Sequence, residues 1–281
     1  MKKSAILPAL LLSATLLSIS SCDDTDKQAA AKLAEAQEAY EAGNYEQARL
    51  LADSIKVLFP KAYDVRHQSN RLIQDIELAA EQRNVAWLDS VITVKQDSLN
   101  LLKSRFTLEK DAEYQQTGNY FAPSQVVEKN LHRSYLRFQT DEAGQLSMTS
   151  IYCGSSNIHH TSVRVTAPDG SYAETPASSD SYETTDMSEH IEKADYKYGA
   201  DGGVIDFICL NRDKNLKVTF QGDRQYNATM SAADRNAATS VSELSRLLAS
   251  ITNAGKMKEE STLKIRFIER KISERSDSAE E

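Results

Sequence analysis

Two hydrophobic periods divide the chain into three parts. From Gln28 to about Lys110, apolar residues recur at helical spacing in a segment rich in alanine, leucine, glutamate and glutamine. Between about Gly118 and Tyr226 the pattern changes to alternation, and valine, threonine, tyrosine and turn residues become more frequent. After Ser231 the helical spacing returns. We therefore expect an α+β fold in which a β-rich segment is inserted between helices.

The helical segment 29–115 is predicted to be a stalk whose long helices form a coiled coil over residues 62–110. Its seam follows heptad spacing and consists of Val85, Leu88, Ile92, Leu99, Leu102 and Phe106. A second apolar stripe lies on another face of the same helix and indicates a second partner; it contains Trp87, Val91, Val94, Leu101 and Leu108.

Residues 29–60 have the spacing of a helical hairpin. Gly43 relieves the turn in Gly-Asn-Tyr-Glu-Gln-Ala, Ala48 permits two helices to approach, and Pro60 ends the second helix. This pattern resembles one tetratricopeptide unit. Because about three such units are needed for a stable superhelix, a single unit predicts a hairpin that packs on the next helix.

The C-terminal segment 231–275 is predicted to be helical and to pack back on the stalk. Ser231 and Asp234 form a helix start signal, and an apolar stripe follows at Val241, Leu244, Leu248 and Ile251. Residues 262–272 fit both a strand and a helix, and their charged neighbours favour the helix. Residues 276–281 are expected to be a disordered tail.

The β-rich segment 118–228 is predicted to form a small antiparallel sandwich or an open barrel. Alternation indicates half-buried strands near 136–138, 163–165 and 216–220. Residues 204–210 are apolar at both odd and even positions, so both faces of a strand would be buried, and this pattern predicts a central strand. Turn residues at 168–170, 199–203 and 211–215 separate the strands, the last as a hairpin turn.

Residues 173–195 are rich in serine, threonine and acidic residues and are predicted to be a long polar loop. One helical turn is expected near 188–194. Four tyrosines around this loop suggest an aromatic surface that could bind a carbohydrate or a peptide; they are Tyr172, Tyr182, Tyr196 and Tyr198.

The N-terminus has the pattern of a secretory signal. Lys2 and Lys3 precede an apolar run over 5–19, and small residues follow before Cys22. Ile19-Ser20-Ser21-Cys22 resembles the lipobox of bacterial lipoproteins, which implies that residues 1–21 are removed and that Cys22 carries acyl chains. An ordinary signal peptide or an uncleaved helix is the alternative, but Pro8 interrupts the run, which is short for a bilayer.

Charge narrows the expected partners. The chain has 33 basic and 41 acidic residues and a formal net charge of −8. This charge argues against nucleic acid as a partner and against membrane binding through a polybasic surface. Residues 22–28 form an acidic tether with Asp23, Asp24 and Asp26. An acidic run after the cysteine resembles a surface-export signal of outer-membrane lipoproteins in some Gram-negative phyla, whereas in others an aspartate next to the cysteine resembles an inner-membrane retention signal. We expect the outer membrane; whether the protein lies on its periplasmic or its cell-surface face is open.

Cys153 and Cys209 are the two cysteines left for pairing. A disulfide between them is compatible with the expected location in the cell envelope, where cysteines can be oxidised. The alternative is two buried thiols that act as small hydrophobic groups. Adjacent residues of a strand point to opposite faces, so His159 is expected in the core and His160 at the surface. With no second ligand at metal-binding spacing, we expect no metal site and no cofactor.

The sequence contains no motif of a catalytic serine, a metalloprotease or a nucleotide-binding loop. We therefore expect a non-enzymatic scaffold or interaction protein that is anchored to the membrane through Cys22 and contacts a protein partner or an extracellular ligand. A carbohydrate- or peptide-binding surface module is the alternative. The layout as a whole resembles function-unknown envelope lipoproteins of Gram-negative bacteria with one tetratricopeptide-like hairpin, a coiled coil and a β-rich domain.

Overall fold

The computed structural model describes residues 20–110, 113, 117–186 and 189–280, and describes side chains between residues 24 and 275. It is a mixed structure with long helices and two antiparallel sheets, which confirms the predicted α+β class. Internal contacts divide the chain into two units. The described part of the first comprises residues 20–87 and 258–280, and the second is Leu88–Met257.

The described residues form five α-helices: α1 (Ser20–Glu41), α2 (Tyr45–Leu58), α3 (Tyr63–Leu102), α4 (Val204–Leu210) and α5 (Ala232–Glu280). The first two are the hairpin that the sequence predicts. Gly43 has a φ of +75° in the turn, a conformation that costs glycine little. Small side chains let the two helices approach, since Ala36, Ala48 and Ala52 are buried together with Ile55.

In the first unit, α3 pairs in antiparallel fashion with residues 258–280 of α5. The Nδ2 of Asn84 donates to the Oγ of Ser261 at 2.9 Å, and Lys264 forms an ion pair with Glu81 at 3.2 Å. The Arg275 guanidinium donates to the Gln74 Oε1 at 2.7 Å. Residues 262–272 are therefore helical, as their charged neighbours indicate.

In the second unit, the predicted seam is partly in place. Leu99 packs with Leu244 and Leu248 of α5, and Leu102 and Phe106 border this cluster. The coiled coil is shorter than expected, however, because α3 ends at Leu102 and residues 107–109 form a strand. Phe106 also packs against the main core, where the chain turns from helix into sheet.

The strands are β1 (Thr107–Glu109), β2 (Asn119–Phe121), β3 (Tyr135–Asp141), β4 (Leu146–Gly154), β5 (Ser162–Thr166), β6 (Tyr172–Glu174), β7 (Ser181–Asp186), β8 (Glu189–Lys197), β9 (Lys217–Gln221) and β10 (Gln225–Thr229). One sheet has the order β1-β2-β3-β4-β8-β7 and the other β10-β9-β5-β6. Phe138 and Met148 of the first sheet share one core with Val163 and Phe220 of the second. The middle segment thus has two antiparallel layers.

The predicted central strand over 204–210 is wrong, since these residues form α4. The Asp201 carboxylate accepts from the Ile205 amide at 2.8 Å and so satisfies an exposed donor of the first helical turn. Val204, Ile205 and Ile208 are buried with the core. A short apolar run cannot be assigned to strand or helix by periodicity alone. Residues 211–215 accordingly join a helix to β9 and are not a hairpin turn.

The predicted polar loop over 173–195 is also wrong for most of its length. It contains the end of β6, all of β7 and most of β8, and the expected helical turn near 188–194 is strand from Glu189 onward. β7 lies at the edge of its sheet with most of its residues exposed on both faces. Alternation is weak where neither face is buried, so the polar composition was misleading.

The predicted signal segment falls mostly on residues that the structure does not describe. Residues 1–19 and the Cys22 side chain lie outside the described part, although the backbone of Cys22 belongs to the first turn of α1. Among the described residues, no helix has the length and apolarity needed to cross a bilayer.

Candidate functional site

A groove in the first unit is a concave surface that the described helices present to a ligand. Its walls come from α2, α3 and the last part of α5, and its volume is about 640 Å³. Ile73, Ala80 and Ile268 supply apolar lining, and Phe267 lies in it with 55% of its surface exposed. An exposed aromatic side chain beside an apolar lining is typical of a binding surface.

Charged side chains line the rim of this groove in two rows. Glu77 and Glu81 lie on the α3 side, and Lys264 and Lys271 lie on the α5 side. The Lys264 to Glu81 ion pair crosses the rim, and the Lys271 ammonium lies 4.4 Å from the centre of the Phe267 ring. Arg49 of α2 also lines the groove and pairs with Glu77 at 3.3 Å, so both glutamates already have a cationic partner within the chain.

The second predicted stripe of α3 is mostly exposed in the described part of the chain, although Val91 is half-buried. Val94 is 67% exposed and Leu101 is 78% exposed, and Trp87 is exposed as well. Residues seven apart lie almost on one line of a helix, so Val94 and Leu101 form an apolar line along the part of α3 that belongs to the second unit. Leu108 is also exposed but belongs to β1, beyond the end of the helix. The sequence predicted a partner for this face, and none lies within the described chain.

Of the four tyrosines proposed as an aromatic surface, one is buried and three are exposed. Tyr196 is buried and its hydroxyl donates to the Thr161 carbonyl at 2.8 Å. Tyr172 is exposed under the Arg164 guanidinium, and Tyr198 donates to Asp206 at 3.1 Å. Tyr182 is exposed on β7. Among the described residues, no ring contact joins any two of the four.

The second unit contains a buried serine, histidine and glutamate in a row. The Ser150 Oγ lies 2.8 Å from the His160 Nε2, and the His160 Nδ1 lies 3.0 Å from the Glu192 Oε2. This is the order of a nucleophile, a base and an orienting carboxylate. All three residues are almost completely buried, so a substrate cannot reach the Ser150 hydroxyl. The row is therefore a structural network in this fold.

The Glu192 carboxylate holds the loop that precedes β5. Its Oε1 accepts from the Ile158 amide at 2.6 Å and the His159 amide at 3.0 Å, and its Oε2 accepts from the His160 amide at 2.8 Å. Burial acts to raise the pKa of Glu192, but these hydrogen bonds outweigh it, so the pKa is lowered. Burial lowers the pKa of His160 despite its bond to Glu192. An ionised Glu192 thus accepts from a neutral His160.

The positions predicted for the two histidines are reversed. His160 is buried and His159 is exposed, because 155–161 is a loop and strand parity does not apply to it. His159 has a φ of +52° and its Nδ1 lies 2.8 Å from the Glu183 Oε1 on β7. The Asn157 Nδ2 donates to the other Glu183 oxygen at 2.8 Å. The hydrogen bond that the His159 ring donates to the Glu183 carboxylate, and the negative charge of that carboxylate, raise the pKa of His159.

Cys153 and Cys209 are separate free thiols in place of the bridge considered from the sequence. Cys153 lies in β4, where its Sγ is 3.5 Å from the Glu189 Oε2; burial comes first among the causes that raise its pKa, followed by the Glu189 carboxylate. Cys209 lies in α4 with its Sγ 3.5 Å from the Ser242 Oγ. Both are partly buried.

Sequence reasoning missed Ser150, Glu183 and Glu192. The last two lie in the segment interpreted as a loop. Each forms a hydrogen bond with the 155–161 loop, from which it is separated by more than twenty residues in the sequence. Strand pairing between β4, β8 and β7 brings them there. The doublet His159-His160 was the one local signal, and it does not identify its distant partners. No protein-family model matches the chain, and neither a curated protein nor a solved structure matches it.

Proposed function

We propose that this protein is a lipid-anchored envelope protein that binds another envelope component through its helical unit and carries out no chemistry of its own. Cys22, in its lipobox-like sequence, is the attachment residue. The observation that carries the interaction is the interhelical groove with the half-exposed Phe267 on its surface.

The groove suits an amphipathic helix of a partner protein. An apolar strip flanked by charged rows accepts a helix whose apolar face enters the groove. Acidic residues of that helix would face Lys271, and its basic residues would replace Arg49 or Lys264 as partners of Glu77 and Glu81. The uncovered line of Val94 and Leu101 on α3 offers a second contact region in the other unit.

The anchor is tested by mass spectrometry of the N-terminal peptide from the protein expressed in its native host. The expected product begins at Cys22 and carries acyl chains, and Cys22→Ala abolishes both the modification and the recovery of the protein with membranes. A mature chain that begins elsewhere, or that keeps Met1, contradicts the lipoprotein assignment.

The interaction is tested by chemical crosslinking in intact cells, with a tagged full-length chain and identification of the partner by mass spectrometry. Phe267→Asp places a charge on the groove surface without emptying a core, because this side chain is already half exposed. We expect one defined partner that is lost with Phe267→Asp and kept with Glu269→Lys, an exposed change on the same helix. Self-crosslinks alone would instead indicate an oligomer.

A further inference from the structure

We propose that His159 and Glu183, beside the Glu192 carboxylate, bind a divalent transition metal such as Zn²⁺ on the second unit (Leu88–Met257), called the β unit from here on. One ligand atom from each of the three lies within 4.8 Å of those of the other two. An imidazole nitrogen with carboxylate oxygens suits metals of this class. This inference is independent of the proposed groove interaction, which concerns the other unit.

The fold fixes the geometry of this group from two sides. Glu192 lies on β8 and holds the amides of residues 158, 159 and 160, so the position of His159 is set by the carboxylate itself. The loop is also held from β9 and its turn, since the Asp223 amide donates to the Ile158 carbonyl at 2.8 Å. A side chain on Gly222 would lie 2.1 Å from that carbonyl, so the close approach requires glycine.

The charges favour a cation. Asp223 adds to the negative field that Glu183 and Glu192 create at the His159 imidazole. The Arg224 guanidinium also contacts this loop, but it donates to the Asn157 carbonyl at 2.9 Å and to the Ser156 hydroxyl at 2.8 Å, and among the described residues no ion pair joins it to either glutamate. His159 and Glu183 are exposed and therefore accessible to an ion. The Glu192 oxygens already accept four hydrogen bonds, so His159 and Glu183 are the main ligands, and Glu192 contributes mostly negative charge.

The test is a Zn²⁺ titration of the full-length chain in competition with a chromophoric chelator, with Cys22→Ser in every sample. We expect one Zn²⁺ per chain and a loss of affinity of about tenfold or more in His159→Asn and in Glu183→Gln. Asparagine is the chosen replacement because it tolerates the positive φ of residue 159, so the loop keeps its conformation.

A second histidine and glutamate pair provides the matched control. The His132 Nδ1 lies 2.5 Å from the Glu189 Oε2, and His132 also has a positive φ. His132→Asn should leave Zn²⁺ binding unchanged, as should Cys153→Ala. The proposal is overturned if the chain binds no Zn²⁺, if His159→Asn binds it as well as the parent, or if binding is lost with His132 or Cys153 instead. Circular dichroism verifies that each variant is folded.

Discussion

At the scale of single residues, Glu192 accepts more hydrogen bonds than any other carboxylate described above. It accepts three backbone amides and the His160 ring within a buried site. A glutamine at this position turns one acceptor oxygen into a donor, so donors that lie against it lose their partner. We expect Glu192→Gln to lower the free energy of unfolding by about 3 kcal/mol, measured by urea denaturation.

The control for this change is Glu183→Gln, whose side chain is exposed and paired with His159 at the surface. Exposed ion pairs contribute little to stability, so the change should cost less than about 1 kcal/mol. Equal losses in the two variants would show that the buried network has no special role.

His160 gives the β unit a dependence on pH. Its pKa lies below 6.5 in the folded chain because burial disfavours the charged ring. The unfolded chain takes up a proton as the pH falls below about 6.5 while folded His160 does not, so stability is lost in that range, by up to about 1.4 kcal/mol per pH unit. The raised pKa of the exposed His159 acts in the opposite direction.

The measurement is the urea midpoint at pH 7.5 and at pH 5.5. We expect the change in midpoint from pH 7.5 to pH 5.5 to be less unfavourable in His160→Asn than in the parent chain, although that variant is less stable at both. His67→Asn removes an exposed histidine and should show the same change in midpoint as the parent chain. An equal change in the parent and in His160→Asn would contradict the assignment to His160.

At the scale of elements, the turn between β3 and β4 docks against α5. Gly144 has a φ of +88°, and a side chain there would lie 2.2 Å from the Ala249 nitrogen. The Ser245 hydroxyl donates to the Gly144 carbonyl at 2.9 Å, and Thr252 donates to the Ala143 carbonyl at 3.1 Å. The β3–β4 turn thus holds the sheet against α5 through two hydrogen bonds and one close backbone contact.

Gly144→Ala and Gly170→Ala separate backbone strain from this close contact. Gly170 has a φ of +87° but no atom within 4 Å of the added side chain, so its replacement introduces strain alone, which costs about 1 kcal/mol. Gly144→Ala introduces that strain and a clash with backbone, and should cost about 1 to 3 kcal/mol more. Equal melting temperatures of the two variants would show that the turn does not dock on α5.

The elements also show how far sequence reasoning reaches. The hairpin of α1 and α2 was predictable because Gly43, Ala48 and Pro60 act locally. The strand near 163–165 was predictable because one of its faces is buried. In contrast, α4 was missed because its apolar run suits either structure, and β7 was missed because an edge strand exposed on both faces has no alternation. The Glu192 network depends on pairing across the sheet, which no local pattern encodes.

At the scale of the whole molecule, α3 has one face that packs within the chain and one that does not. Leu99 is buried beside Leu244 and Leu248, whereas Leu101, two residues later, is 78% exposed. A buried, unpaired charge is costly, so Leu99→Asp should destabilise the second unit by about 3 kcal/mol. Leu101→Asp should change the free energy of unfolding by less than about 0.5 kcal/mol, and the melting curve of this variant should match that of the parent chain. Thermal melting by circular dichroism distinguishes the two.

The most direct test of the central claim, that the helical groove binds an envelope partner, is site-specific photocrosslinking in intact cells. A photoreactive amino acid at Phe267 lies in the groove, and one at Glu269 lies outside its lining on the same helix. We expect one crosslinked partner from position 267, none from position 269, and loss of the product with Cys22→Ala. Equal crosslinking from both positions, or none from position 267, would contradict the account.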